Sequence, residues 1–101
     1  MQNKEILEAL RINSNEENPK YSFIIDNNQI DKVIGNTKNN LEINNYIIKN
    51  VNIIFYTAQV VIIRSNTYNP IYGWESNDSA LMFSCIKKIY KNNELIFDCT
   101  K

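Results

Sequence analysis

Val51-Asn52-Ile53-Ile54-Phe55-Tyr56-Thr57-Ala58-Gln59-Val60-Val61-Ile62-Ile63 is the stretch that decides the fold. Nearly all of these residues are β-branched or aromatic. Such side chains crowd the preceding turn of a helix but pack well on a pleated surface, so the run reads as extended. As a single strand it sends Val51, Ile53, Phe55, Val61 and Ile63 to one face and Ile54, Tyr56, Ala58, Val60 and Ile62 to the other. Both faces are apolar. A strand with one wet face alternates apolar with polar, so this run calls for cover above and below. At ~3.3 Å per residue it would extend for about 43 Å, far beyond an ordinary strand. A bend or bulge is therefore expected, with Thr57-Ala58-Gln59 as its place.

Upstream, residues 3–12 are good helix formers that place Ile6, Leu7 and Leu10 on one side. Asn3 is the expected N-cap, with Glu5 near the positive end of the helix. The polar stretch 13–18 ends this helix, and Asn18-Pro19 leads into extended chain. Residues 21–26 read as a strand turned by Asn27-Asn28 onto a second short strand, 30–34, which ends at Gly35. Residues 36–40 form a polar loop, and Leu41, Ile43 and Ile47 alternate along a third strand, 41–48.

Downstream, residues 65–79 hold Pro70, Gly73 and Trp74 and read as a long irregular loop. Residues 80–91 fit either a helix capped by Asn77 or Asp78 or a strand. Pairing favours the strand. In a hairpin turned at Asn92-Asn93, Lys91 faces Glu94, Lys87 faces Asp98, Tyr90 faces Leu95 and Ile89 faces Ile96. These are the opposite-charge and apolar pairs that a sheet rewards. Cys85 and Cys99 then point to opposite faces, which disfavours a bridge and leaves two reduced, buried thiols.

Composition narrows the function classes. The chain has 101 residues, the size of one domain spanning 1–101, and its 11 basic and 11 acidic residues balance to a formal net charge of zero. Nucleic-acid binding driven by counterion release needs a basic excess, and so does attachment to anionic lipid, so neither partner is expected. The charged first residues do not resemble a signal peptide, and the 51–63 run is shorter than the ~20 residues of a membrane helix. A cytoplasmic protein is the expectation. The 18 Asn are unusual, and with only two Gly present they are expected to supply the turns.

The chain has no histidine. Ser-His-Asp and Cys-His catalysis and histidine metal sites are therefore excluded, and two cysteines fall short of a four-thiolate zinc site. Glycine-rich phosphate loops are absent as well. Glu75 and Asp78, which follow Trp74 in the same loop, are the one candidate carboxylate pair. No enzyme, metal or cofactor is expected. Tyr68, Tyr72 and Trp74 either close one end of the core or recognise a partner, and with Glu75 and Asp78 they make up the candidate binding site.

These observations define an α+β fold. A short N-terminal helix is followed by about six mostly antiparallel strands in a bent sheet, small sandwich or partly open barrel, with 51–63 as central strand. One short helix covers only part of a sheet face, so the sheet folds over itself or a second subunit covers it, and a homodimer is favoured. The expected function is that of a small non-enzymatic binding protein that inhibits or sequesters a protein target, in the manner of immunity proteins or phage anti-defence proteins. The alternatives are a sugar- or nucleotide-binding module that uses residues 65–79, or a structural subunit of a homo-oligomer.

Overall fold

A computed structural model of the chain describes residues 2–12, 18–35 and 46–100. Helix α1 (Gln2–Ile12) is followed by β1 (Tyr21–Ile25), β2 (Val33–Gly35), β3 (Ile47–Tyr56), β4 (Val60–Asn69), β5 (Gly73–Met82), β6 (Ile86–Lys91) and β7 (Glu94–Asp98). Short 3-10 segments, Asn27–Lys32 and Phe83–Cys85, precede β2 and β6. The strands form one antiparallel sheet in the order β2-β5-β4-β3-β1-β6-β7, and its two ends do not meet. The fold is α+β, with an open sheet rather than a sandwich or a barrel.

The decisive run is two strands. Thr57-Ala58-Gln59 is a tight turn, closed by the Thr57 amide donating to the Val60 carbonyl at 2.8 Å. The Thr57 hydroxyl accepts from the amides of Gln59 and Val60, each at 3.2 Å. The expected bend is therefore a full reversal. A hydroxyl that satisfies two turn amides makes the reversal cheap, and folding back lets both halves share one core. Register then sorts the faces. Tyr56 faces Val61 and Ile53 faces Ile63, but Phe55 faces Ile62, which leaves Ile54 as a bulge. Beyond the bulge the side chains exchange sides. Val51, Val61 and Ile63 are buried and Tyr56 packs against them, whereas Phe55 is 59% exposed. The two apolar faces read for a single strand collapse into one buried face and one largely open one.

Helix α1 supplies the cover. Ile6 and Leu10 are buried with Phe23, Ile63, Leu81, Phe83 and Ile89 in one core, and Leu7 lies partly buried beside them. Asn3 sits inside the helix rather than capping it, and its Nδ2 donates to the Ala58 carbonyl at 3.4 Å, tying the helix to the β3–β4 turn. The core residues alternate along β1 as Tyr21, Phe23 and Ile25 and recur in β6 as Ile86 and Ile89.

Other expectations change in register or place. Asn27-Asn28 opens a 3-10 segment, held where the Asp26 carboxylate accepts from the Asn28 amide at 3.0 Å. That segment carries the chain away from β1, so β2 pairs with β5 at the far edge, Val33 opposite Leu81. The loop 36–40 and most of the strand read over 41–48 lie outside the described residues, as do positions 13–17; Ile47 and Ile48 open β3. Among the described residues there are seven strands, in keeping with the about six expected. Residues 65–79 are not a long irregular loop: apart from the turn at Pro70-Ile71-Tyr72 they belong to β4 and β5, which pair in unbroken register from Val60 opposite Met82 to Asn69 opposite Gly73.

The asparagines do make the turns. Apart from Tyr46, the described non-glycine residues with positive φ are Asn18, Asn50, Asn92 and Asn93. Asn92 and Asn93, at φ 48 and 70, form the β6–β7 turn, with Lys91 opposite Glu94 and Tyr90 opposite Leu95 as read from sequence. A bulge at Ile96 then shifts the ladder, so Ile89 faces Phe97 in place of Ile96 and Lys88 faces Asp98 in place of Lys87. Cys85 is buried and Cys99 exposed, and the two are unbridged. The expectation of two buried thiols holds for Cys85 alone, because Cys99 lies past the end of β7.

Candidate functional site

β4 and β5 outlast their neighbours. β3 pairs with β4 as far as Arg64, and β2 pairs with β5 from Leu81 to Ser79. Beyond these points, among the described residues, β4 and β5 pair only with each other, through five further rungs from Ser65–Asn77 to Asn69–Gly73. At ~3.4 Å per residue this two-stranded arm is about 17 Å long. It turns through Asn69-Pro70-Ile71-Tyr72-Gly73. The Asn69 carboxamide oxygen accepts from the amides of Ile71 at 2.8 Å and Tyr72 at 3.3 Å, and Gly73 takes φ 83, a conformation that strains L side chains.

A ribbon of two strands is marginal in water, and the rungs facing away from α1 hold this one together. Ile62 opposite Ala80 continues the apolar sheet face. Next, Arg64 Nε donates to one carboxylate oxygen of Asp78 at 2.8 Å and Nη2 to the other at 3.1 Å. The Ser76 hydroxyl donates to the Asn66 carboxamide oxygen at 2.7 Å. At the tip Tyr68 and Trp74 meet edge to face, ring centres 5.4 Å apart and planes at 62°. The Arg64 hydrogen bonds and positive charge hold the Asp78 carboxyl below its ordinary range, and Asp78 in turn raises Arg64.

The site residues named from sequence are thus only partly brought together. Tyr68, Tyr72 and Trp74 share the tip and are 63%, 77% and 74% exposed, so they do not close the core. Ile71, missed by sequence reading, stands at the apex at 81% exposure. Its signal was available: it follows Pro70 in a segment whose Pro and Gly mark a turn, where an isoleucine has nothing to pack against. Glu75 and Asp78 are three positions apart on one strand and therefore point to opposite faces. Asp78 is committed to Arg64, and the two acids do not form a carboxylate pair. Of the residues from Ser65 to Asn77, Glu75 alone is charged.

The open sheet face and the helix edge carry other features. Ile24, Ile47 and Tyr90 floor a shallow hollow of about 420 Å³, rimmed by Ser22, Lys49 and Asn93. Lys87, Lys88 and Lys91 form a small basic cluster in β6, in which Lys88 Nζ is 3.9 Å from Asp98 and Lys91 is buried. Among the described residues no group of three or more His, Cys, Asp or Glu side chains converges as a metal site would require, and no helix is long and apolar enough to cross a membrane. Comparison with protein-family models, with curated proteins and with solved structures finds no match to this chain.

Proposed function

We propose that this protein is a non-enzymatic binding module that blocks or sequesters a protein target by inserting the tip of the β4–β5 arm into an apolar cleft. One observation carries this reading: four of the large apolar side chains exposed on the described surface, Tyr68, Ile71, Tyr72 and Trp74, fall within seven consecutive positions at the end of a protruding ribbon. A clustered patch of this kind has a use, whereas scattered exposed residues need none. Tyr and Trp supply large contact area at low entropy cost and dominate binding hot spots. The Asn69 turn and the cross-strand rungs hold the tip ready, which lowers the ordering cost of association. The near absence of charge on the arm favours an apolar protein cleft over a phosphate backbone. An inhibitor of the immunity or anti-defence type would act in this way. The experiment is binding to a panel of bacterial toxins and host-defence enzymes, wild type beside Tyr72→Ser and Trp74→Ser. A complex formed by wild type and weakened at least tenfold in each variant is expected. A complex indifferent to both, or none across the panel, refutes the reading.

The second reading is a saccharide site. Trp74, the Asn66–Ser76 pair and the Arg64–Asp78 pair lie on one face in alternate rungs, a ring beside flat polar groups. Quenching or enhancement of Trp74 fluorescence across a sugar and nucleotide panel would favour it over the protein target. Self-association through the open sheet face is compatible with either reading, and solution mass at micromolar concentration decides it.

A further inference from the structure

Among the described residues, the second half of β3 is paired on one side only. β4 runs beside it from Asn52 to Tyr56, but β1 stops pairing at Tyr21 opposite Val51. Pro19, two residues earlier, has no N–H to continue the ladder, and Asn18 at φ 49 turns the chain aside. Asn52 seals this junction. Its Nδ2 donates to the Pro19 carbonyl at 3.1 Å and to the Asn18 side-chain oxygen at 2.8 Å, while its Oδ1 accepts from Lys20 Nζ at 2.8 Å. Beyond the seal, no described strand pairs with residues 53–56 on the side away from β4.

A groove of about 340 Å³ runs beside this edge. Its walls are Leu10 of α1, Pro19, Tyr21 and residues 53–56, of which Ile54 and Phe55 are exposed. Tyr56 also borders a neighbouring hollow lined by Lys4, Leu7, Glu8 and Arg11. Lys4 and Arg11 therefore lie in the hollow next to the groove, together with Glu8, which is 3.8 Å from Arg11. The described lining of the groove is apolar, and the adjoining hollow carries two cations and one carboxylate.

We propose that this edge and groove form a strand-addition site for an extended peptide segment of a partner protein, with alternate apolar side chains and an acidic neighbour. Open main-chain groups beside an apolar groove call for another backbone, because neither a lipid surface nor a compact small molecule offers alternating donors and acceptors along a strand. Side chains at every second position of the added strand enter the groove between Leu10 and Tyr56. Lys4 and Arg11 in the adjoining hollow, against the single Glu8, favour an acidic residue beside them. The site lies on the body of the molecule and is independent of the arm.

The test is selection of a phage-displayed random-peptide library on the full chain, followed by hydrogen exchange with the strongest synthetic peptide. Enriched peptides are expected to alternate apolar residues beside an acid. Bound peptide should slow amide exchange within residues 53–56 at least tenfold and leave the arm unchanged. Phe55→Asp and, separately, Arg11→Glu should each weaken binding at least tenfold, while Tyr72→Ser leaves it intact. Both substituted residues are exposed, so a folded protein is retained. Absence of enrichment, protection elsewhere, indifference to both variants, or a free chain that is dimeric with residues 53–56 already protected would each overturn the proposal. The last outcome would assign the edge to a second copy. Loss of binding in Tyr72→Ser alone would assign the selected peptides to the arm and leave this edge unused.

Discussion

β4 and β5 pass through two environments without a break in register, and the two halves of this one ladder are built from different forces. Near the β3–β4 turn, Val61, Ile63 and Leu81 are buried, with a strand on each side and α1 over the face. Burial of each such side chain contributes ~1.5–3 kcal/mol relative to exposure. In the arm, no described strand flanks the pair, and the contacts described there run across the two strands and their turn. The hydrophobic half determines whether the protein folds. The arm depends on that half for its anchor and contributes little to it in return, which frees its side chains for another use.

This division is most sharply tested in the body. Phe23→Ala or Phe83→Ala, each removing a fully buried ring, should cost ~3–5 kcal/mol. Against a total of ~5–15 kcal/mol this is a large share, visible as a collapse of the urea midpoint. A loss below about 1 kcal/mol would mean that the core is not where it is described.

The turns come next. Asn93 has φ 70, so Asn93→Ala forces an alanine into a left-handed conformation, at a cost of roughly 1–2 kcal/mol in chemical denaturation, whereas Asn93→Gly should cost nothing. Equal effects of the two would show that the asparagine side chain, and not its backbone freedom, is what matters there.

The arm should respond more locally. The folded Asp78 carboxyl titrates below its ordinary range because of Arg64. The stabilisation it lends is therefore fully present above the ordinary carboxylate range and is lost as pH falls through the lowered value. Acidification should loosen the arm amides around Asn66 and Ser76 before the core resonances move, and Asp78→Asn should remove that pH dependence. Smallest of all, Tyr72→Ser should change global stability by no more than about 0.5 kcal/mol while weakening target binding. A larger loss would place Tyr72 among the folding residues.

Much of the fold was legible in the sequence, and the failures share a cause. The helix face of Ile6, Leu7 and Leu10 and the Asn92-Asn93 hairpin were readable because local periodicity and pairing chemistry agreed. The β3–β4 reversal was placed at the right residues but understated as a bend, since Thr57-Ala58-Gln59 contains no Gly or Pro and its turn is made by a threonine hydroxyl. The arm reads as a loop in the sequence because its pairing is polar. Arg64 with Asp78, Asn66 with Ser76 and Tyr68 with Trp74 are as legible as Lys91 with Glu94 once the chain is folded about residues 69–73, yet no hydrophobic alternation announces them. The site aromatics were found by residue type, whereas their exposure and the apex position of Ile71 depended on that pairing. The destination of β2 at the far edge and the groove under α1 depend on long-range packing that no local pattern encodes.

Native-state hydrogen exchange along β4 tests the division between body and arm most directly. Among β4 amides that donate to β5, those from Val60 to Arg64 should exchange only through global unfolding, and those from Ser65 to Asn69 at least a hundredfold faster through local opening. Uniform protection along the whole strand would contradict the account, because it would mean that the arm is covered and its aromatic tip is part of a core.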